Sequence, residues 1–247
     1  MSFLKIVKSF DLVVILYVAL SLFVATILAW GIMMQGNFFY GVWHDHGGIA
    51  EGIEKYGPQN RYKEGFAETT RQQRIEIFAE ISRAIHCNGE GLWDIAYSSS
   101  SSDGEQTLLR EAEVVHLTDV AHLISLMKIA ATLGSVFWLA ILVCLLKARA
   151  KLPLLRHQML GLAGIFFVGG LVLFAAGAED VFNLLHIWIF PDNHQWFFYY
   201  QDSLMSTMML APTLFGWIAA AWAVLALGVF IVVHFIVLLA FRRIKAL

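Results

Sequence analysis

Apolar residues along this chain fall in long unbroken runs rather than in the periodic stripes of a soluble helix. Four runs, Leu12–Met34, Ile124–Leu146, Leu160–Ala178 and Thr213–Ala240, reach the roughly 18 residues that a helix needs to cross a bilayer. The first is too long for the apolar core of a signal peptide, and Gln35-Gly36-Asn37-Phe38 offers no small-residue cleavage site, so it reads as a retained span. Between the first two runs, Asn37–Leu123 mixes polar and apolar positions. It opens on an aromatic belt, Phe38-Phe39-Tyr40 and Trp43, and is then broken by Gly47, Gly48, Gly57 and Pro58.

Within that segment, Glu64–Ile85 predicts an amphipathic helix. Ile75, Phe78, Ile81 and Ile85 recur at helical spacing, while Arg71, Arg74, Glu76, Glu80 and Arg83 fall elsewhere, and Gly89 and Gly91 stop it. Ser98–Ser102 with Asp103-Gly104 predicts a flexible loop. A further helix is expected to begin near Thr107 and run without a break into the second span. No strand alternation and no internal repeat is visible. The pattern predicts an all-α membrane protein, a single integral domain with four transmembrane helices, a small extracytoplasmic helical cap over 37–123 and an extracytoplasmic loop over 179–212.

Charge sets the expected orientation. Lys5 and Lys8 precede the first run, Lys147, Arg149, Lys151 and Arg156 crowd the link between the second and third, and Arg242, Arg243 and Lys245 follow the fourth. Residues 179–212 contain no Lys or Arg. The positive-inside rule then predicts both termini in the cytoplasm, N-in and C-in. Every Asp and Glu except Asp11 falls on the opposite side, as do His44, His46, His86, His116, His122, His186 and His194. Composition agrees: 59% hydrophobic, 15% charged and a mean hydropathy of +0.67 exclude a soluble domain, and a net charge of -2 gives no reason to expect nucleic acid as a partner. Cys87 and Cys144 fall in different compartments and make no disulfide framework.

Candidate chemistry gathers at the outer interface. Glu113, His116 and Asp119 are spaced i, i+3, i+6 on one helix, so a carboxylate lies one turn to either side of His116. A carboxylate bonded to one ring nitrogen would fix the tautomer and raise the basicity of the other, although a solvated helix entering a membrane has the same spacing. His186 follows an apolar run and is framed by Phe190, Pro191, Trp196 and Phe198; at that depth an ionisable group faces either a functional cavity or a loop carbonyl. Two imidazoles at a lipid interface suit proton transfer on a lipid ester. His44-Asp45-His46 could seed a metal site with other histidines, but no zinc-type spacing and no H-E-x-x-H is present, and none is expected. No G-x-S-x-G elbow and no phosphate-binding glycine loop occurs.

The motif E-x-x-H-x-x-D-V (Glu113, His116, Asp119, Val120) precedes H-x-x-x-F-P-x-x-x-x-W-x-F (His186, Phe190, Pro191, Trp196, Phe198), which is followed by Asp202, Leu204 and Pro212. In this order and with four spans, the chain resembles the lipoprotein intramolecular transacylase family of bacterial integral membrane proteins. The resemblance implies an acyltransferase of the bacterial cytoplasmic (inner) membrane whose site faces the extracytoplasmic side and needs no cofactor. It would move the sn-2 acyl chain of a lipoprotein's diacylglyceryl group to the α-amino group of the N-terminal Cys, giving the lyso-form. Its partners would be diacylated lipoprotein and membrane lipids.

The same resemblance makes His116 and His186 the expected catalytic pair. The working assignment has His116 as base, oriented by Asp119 or Glu113, and His186 as acid or oxyanion stabiliser, with the roles interchangeable. Glu113, Asp119 and Asp202 are the expected supporting residues, and Lys128, Phe190, Trp196, Tyr199 and Tyr200 the expected substrate contacts. The chain departs from the family pattern in its longer outer segment with the poly-Ser loop and in Ala121, where Lys is expected. Two other readings remain open to the sequence: a non-catalytic lipid- or metal-binding accessory protein, and a metal-dependent membrane hydrolase using His44, His46, His116 and His186.

Overall fold

The computed structural model describes residues 3–101 and 104–245, with side chains described from Leu12 to Arg243 apart from residues 102, 103 and 178. The expected anchors Lys5, Lys8 and Lys245 lie outside the described side chains, and Ser102 and Asp103 of the poly-Ser loop lie outside the described residues.

In chain order the elements are α1 (Phe3–Gln35), α2 (Tyr40–His46), α3 (Ile49–Tyr56), α4 (Arg71–His86), β1 (Ala96–Ser98), β2 (Glu105–Thr107), α5 (Glu111–Lys147), α6 (Leu155–Ala176), α7 (Ala178–Ile189), α8 (Leu204–Met209) and α9 (Thr213–Lys245). Four described helical stretches are long and apolar enough to cross a membrane: Leu12–Gln35, Glu111–Lys147, Leu155–Ala176 and Thr213–Arg243. Each overlaps one of the four runs read from the sequence. The third run was expected over Leu160–Ala178, but its helix is Leu155–Ala176 and stops at Gly177, whose φ is 85°. The largest difference is at α5, which at about 1.5 Å per residue is about 55 Å long, well beyond a hydrocarbon core of about 30 Å. One continuous helix therefore supplies both a span and the polar stretch that carries Glu113, His116 and Asp119.

The chain divides into two compact units. The first comprises residues 1–32, 128–177 and 221–247. Its core joins Tyr17, Ile141, Leu145, Val237 and Phe241 in one cluster, and Ala25, Leu162 and Phe230 in another. Polar side chains described inside it find partners, as the absence of water in hydrocarbon favours. Trp138 Nε1 donates to Ser21 Oγ at 2.9 Å, Trp222 Nε1 donates to the Thr26 carbonyl at 2.8 Å, and Gln158 lies 3.1 Å from His234 Nδ1.

The second unit, residues 33–127 and 178–220, holds the polar segments. Thr70 caps α4 by accepting from Gln73 N, which starts this helix later than the sequence pattern suggests; Phe66–Glu68 forms a separate 3-10 turn. The buried face of α4 is Arg74, Ile77, Phe78, Ile81 and Ala84, a slightly rotated version of the expected stripe. Arg74, expected on the polar face, is 6% exposed: its guanidinium donates to Thr69 Oγ1 and the Ala67 carbonyl and approaches His44 Nε2 at 3.4 Å. These partners offset its desolvation, which is why a cation sits inside.

A second difference concerns the poly-Ser stretch. β1 and β2 pair antiparallel, Ala96 with Thr107 and Ser98 with Glu105, so the fold is not purely helical. Three-residue strands are too short to show alternation. Two serines after β1 are pinned as well: Ser100 Oγ donates to Glu68 at 2.6 Å, and Ser101 donates to it through both its backbone N and its hydroxyl. The hairpin also moves the start of the next helix to Glu111.

Candidate active site

The site lies within the second unit, where α5, α7 and the segment from Phe190 to Met209 bring distant residues together. His116 is on the polar stretch of α5 and is buried, with 8% exposure. His186 is in the last turn of α7 and is half-buried. The two ring centroids are 6.1 Å apart, inclined by 32°. Aromatic rings enclose them. Phe190 stands 4.9 Å from His116 and 5.2 Å from His186; Phe198 faces His116 at 6.0 Å; Trp196 and Phe182 face His186 at 5.0 and 4.0 Å.

The hydrogen bonds of the two imidazoles differ. His186 Nδ1 is 2.8 Å from the Phe182 carbonyl, one helical turn back. A carbonyl only accepts, so Nδ1 carries the proton, and the lone pair of neutral His186 is on Nε2. Burial among the rings pushes the His186 pKa below the usual imidazole range, and the Phe182 carbonyl opposes this only in part. His186 is therefore neutral at physiological pH. His116 Nδ1 is buried with no hydrogen-bond partner among the described residues.

Neither motif carboxylate orients His116 as the spacing suggested. Glu113 is fully buried and occupied elsewhere. One oxygen accepts from Ser203 Oγ at 2.5 Å and from Met205 N at 3.2 Å, and the other accepts from Arg110 N at 2.8 Å. The last contact makes Glu113 the third residue of α5 reaching back to the residue before the helix, half of a capping box. Asp119 Oδ2 instead meets His194 Nδ1 at 2.7 Å. The i, i+3 spacing permits the intrahelical contacts but does not exclude stronger partners from distant segments.

Residues 95–215 match the family model described as Lipoprotein intramolecular transacylase Lit. Over that stretch the chain is similar to the Lit family. Three solved structures of Lit from Bacillus cereus share the fold. One, with a His-to-Arg substitution, aligns at a TM-score of 0.64 and 17% identity, covering 98% of this chain and 95% of that one. A second gives 0.62 and 16%, covering 96% and 95%. A third, with a His-to-Ala substitution, gives 0.64 and 17%, covering 99% and 98%. No curated protein matches the sequence.

The Lit segment contains both histidines, the aromatic rings about them and the Glu113 and Asp119 contacts, whereas α2 to α4 precede it. Of the other residues expected at the site, Phe190 and Trp196 stand against the imidazoles. Asp202 accepts from Arg61 at 3.1 Å, and Tyr200 donates to the Ala211 carbonyl at 2.8 Å while stacking on Tyr56. Tyr199 is 65% exposed, with its ring edge on Phe197. Lys128 is exposed on α5, about three turns beyond His116. Among the described residues no group of three or more His, Cys, Asp or Glu side chains is placed to hold a metal ion, and His44 is engaged by Asp45 and Arg74.

Sequence reading missed the roles of Phe182, Ser203 and His194. A signal existed for Phe182: an imidazole in the last turn of a helix can donate to the carbonyl four residues back. The Glu113–Ser203 contact spans 90 residues and the Asp119–His194 contact 75, and nothing local encodes either.

Proposed function

We propose that this protein performs the Lit reaction on diacylated lipoprotein, moving the sn-2 acyl chain from the glycerol oxygen to the α-amino group of the N-terminal Cys. The observation that carries this reading is the imidazole pair, 6.1 Å apart in an aromatic enclosure, inside the stretch that matches the family. An O-to-N acyl shift needs a base for the amine and a proton for the departing alkoxide, and two histidines can supply both.

The tautomer favours His186 as the base, the reverse of the working assignment from sequence. Its Nε2 takes the proton from the amine as the nitrogen attacks the ester carbonyl. His116 donates a ring N–H to the carbonyl oxygen as charge develops there. The C–O bond to glycerol then breaks, the C–N bond remains, and the proton from nitrogen ends on the glycerol oxygen. Amine and ester belong to one molecule, so proximity is built into the substrate and no co-reactant is consumed. Phe190, Trp196, Phe198 and Phe182 exclude water, which would otherwise hydrolyse the ester.

The site faces the extracytoplasmic side of the bacterial cytoplasmic membrane in this reading. Lys147, Arg149, Lys151 and Arg156 border the α5–α6 link, and residues 179–212, which carry His186, contain no Lys or Arg. Residues 37–123 then form an extracytoplasmic cap. The protein meets its substrate in the outer leaflet.

A crossover experiment tests the reaction. Purified protein is given two diacyl lipopeptides that differ in both peptide and acyl isotope. Because substrate and product are isomers of equal mass, the amide is located by fragmentation. Each peptide should carry only its own acyl label on nitrogen, and a lipopeptide with an acetylated amine should not react. Scrambled labels, or acyl release as free fatty acid, would overturn the proposal.

A further inference from the structure

The loop from Phe190 to Phe198 supplies three of the four rings about the imidazoles, yet little holds it. Pro191, Asp192, Asn193, Gln195 and Phe197 are exposed. Its own backbone bonds are local: Phe190 N to the His186 carbonyl and His194 N to the Pro191 carbonyl. Among the described residues, the hydrogen bond that ties this loop to an element other than α7 is His194 Nδ1 to Asp119 Oδ2, at 2.7 Å. The pair is partly shielded, with the Asp119 side chain 16% and the His194 side chain 33% exposed. Asp119 is one turn beyond His116 on α5, so this bond draws the loop onto the helix face that bears the imidazole.

We infer that Asp119 and His194 form a latch that positions the aromatic loop over the two histidines, and that Asp119 serves the reaction through His194 rather than through His116. His194 Nδ1–H donates and the carboxylate accepts, a charge-assisted geometry stronger than a neutral pair. When the latch is closed, Phe190, Trp196 and Phe198 fix the orientation of both rings. When it is broken, the loop keeps its junctions at Phe190 and Phe198 and its ring contacts, but no hydrogen bond to α5 holds those rings in place. A displacement of about 1 Å in such a site costs up to about a hundredfold in rate. Both latch residues are positioning residues. This inference rests on the acyl-shift reading above.

The test is a double-mutant cycle on lipopeptide turnover with Asp119→Ala, His194→Ala and the double variant, each checked for folding by its melting temperature. His194→Asn is added because its side-chain amide places a donor where Nδ1 stood. Both single variants should lose about tenfold or more in kcat, by similar factors and with little change in KM; the double variant should be no worse than the poorer single, and His194→Asn should recover most of the loss. The 19F resonance of 5-fluorotryptophan at position 196, assigned with Trp196→Phe, should shift or broaden in both alanine variants and return in His194→Asn. A loss for Asp119→Ala far exceeding that for His194→Ala, losses that multiply in the double variant, or an unmoved 19F signal would overturn the latch. His116→Ala and His186→Ala separate the two claims. If both abolish turnover while the cycle is multiplicative, the latch alone fails; if either retains full turnover, the two-histidine reading fails.

Discussion

Glu113→Ala should destabilise the protein strongly, and the structure says by how much. The carboxylate is fully buried and accepts from Ser203 Oγ, Met205 N and Arg110 N. Ser203 Oγ also accepts from Ser206 N at 2.9 Å, so its hydroxyl keeps one bond when the carboxylate is lost. The Met205 N–H does not. A buried donor stripped of its acceptor costs about 1–3 kcal/mol. Loss of the reach-back to Arg110 N at the start of α5 adds about 1 kcal/mol, and the vacated volume adds more. The expected total is about 3–4 kcal/mol. Glu113→Gln keeps one acceptor oxygen for Ser203 and Met205 but turns an amide donor toward Arg110 N, so its cost is about 1–2 kcal/mol. For a chain of this size those values correspond to roughly 10 °C and roughly 5 °C in melting temperature. Thermal unfolding of the purified protein in detergent, followed by tryptophan fluorescence, reads both. Turnover measured well below each melting temperature should fall less than it does for the histidine variants. A Glu113→Ala protein that melts like wild type but is inactive would refute the clamp and place Glu113 among the groups that touch the reacting atoms.

Other outcomes follow from the same geometry. Turnover should hold as pH drops below about 6.5, the ordinary imidazole value, because burial lowers the His186 pKa; it should fall only as pH passes through that depressed value. Stability responds to the same group with the same sign. The contribution of neutral His186 is complete above about 6.5, where the unfolded chain also holds no proton, and is lost as pH falls toward the folded pKa; a pH–rate profile and a pH series of melting temperatures check the two. Gly47→Ala should cost about 1–3 kcal/mol, since a Cβ there would lie 2.6 Å from the Trp43 carbonyl oxygen; its melting temperature against wild type is the measurement. In a Cys87→Ser background, a membrane-impermeant maleimide applied to intact spheroplasts should label Asp192→Cys and leave Arg149→Cys unlabelled, and the opposite pattern would reverse the proposed orientation.

Much of the fold was legible because hydrocarbon imposes one solution on long apolar runs. Leu12–Met34, Ile124–Leu146 and Thr213–Ala240 fall within observed helices, and Leu160–Ala178 overruns its helix by the break at Gly177. That His116 and His186 meet was suggested by their motifs, because an ionisable side chain next to a long apolar run is costly and stands out against its surroundings. What surrounds them was not. Asp119 and Glu113 flank His116 in sequence, but a carboxylate goes to the best donor in space, and those donors arrive from residues 194 and 203–205. Arg74 read as a surface charge because helical periodicity records hydrophobicity and not the carbonyl and hydroxyl groups that receive a buried guanidinium. The β1–β2 hairpin escaped because its pairing rests on backbone hydrogen bonds over three-residue strands, while serine content suggested only a loose loop.

The central claim is that His116 and His186 together carry an acyl chain from oxygen to nitrogen. Fragmentation mass spectrometry of a lipoprotein's N-terminal peptide tests it most directly, in cells that lack the activity and are supplied with wild type, His116→Ala or His186→Ala. The account predicts N-acyl lyso-form with wild type, and an unshifted diacyl N-terminus with either variant present at wild-type levels in the membrane. Lyso-form produced at the wild-type rate by either variant would contradict it.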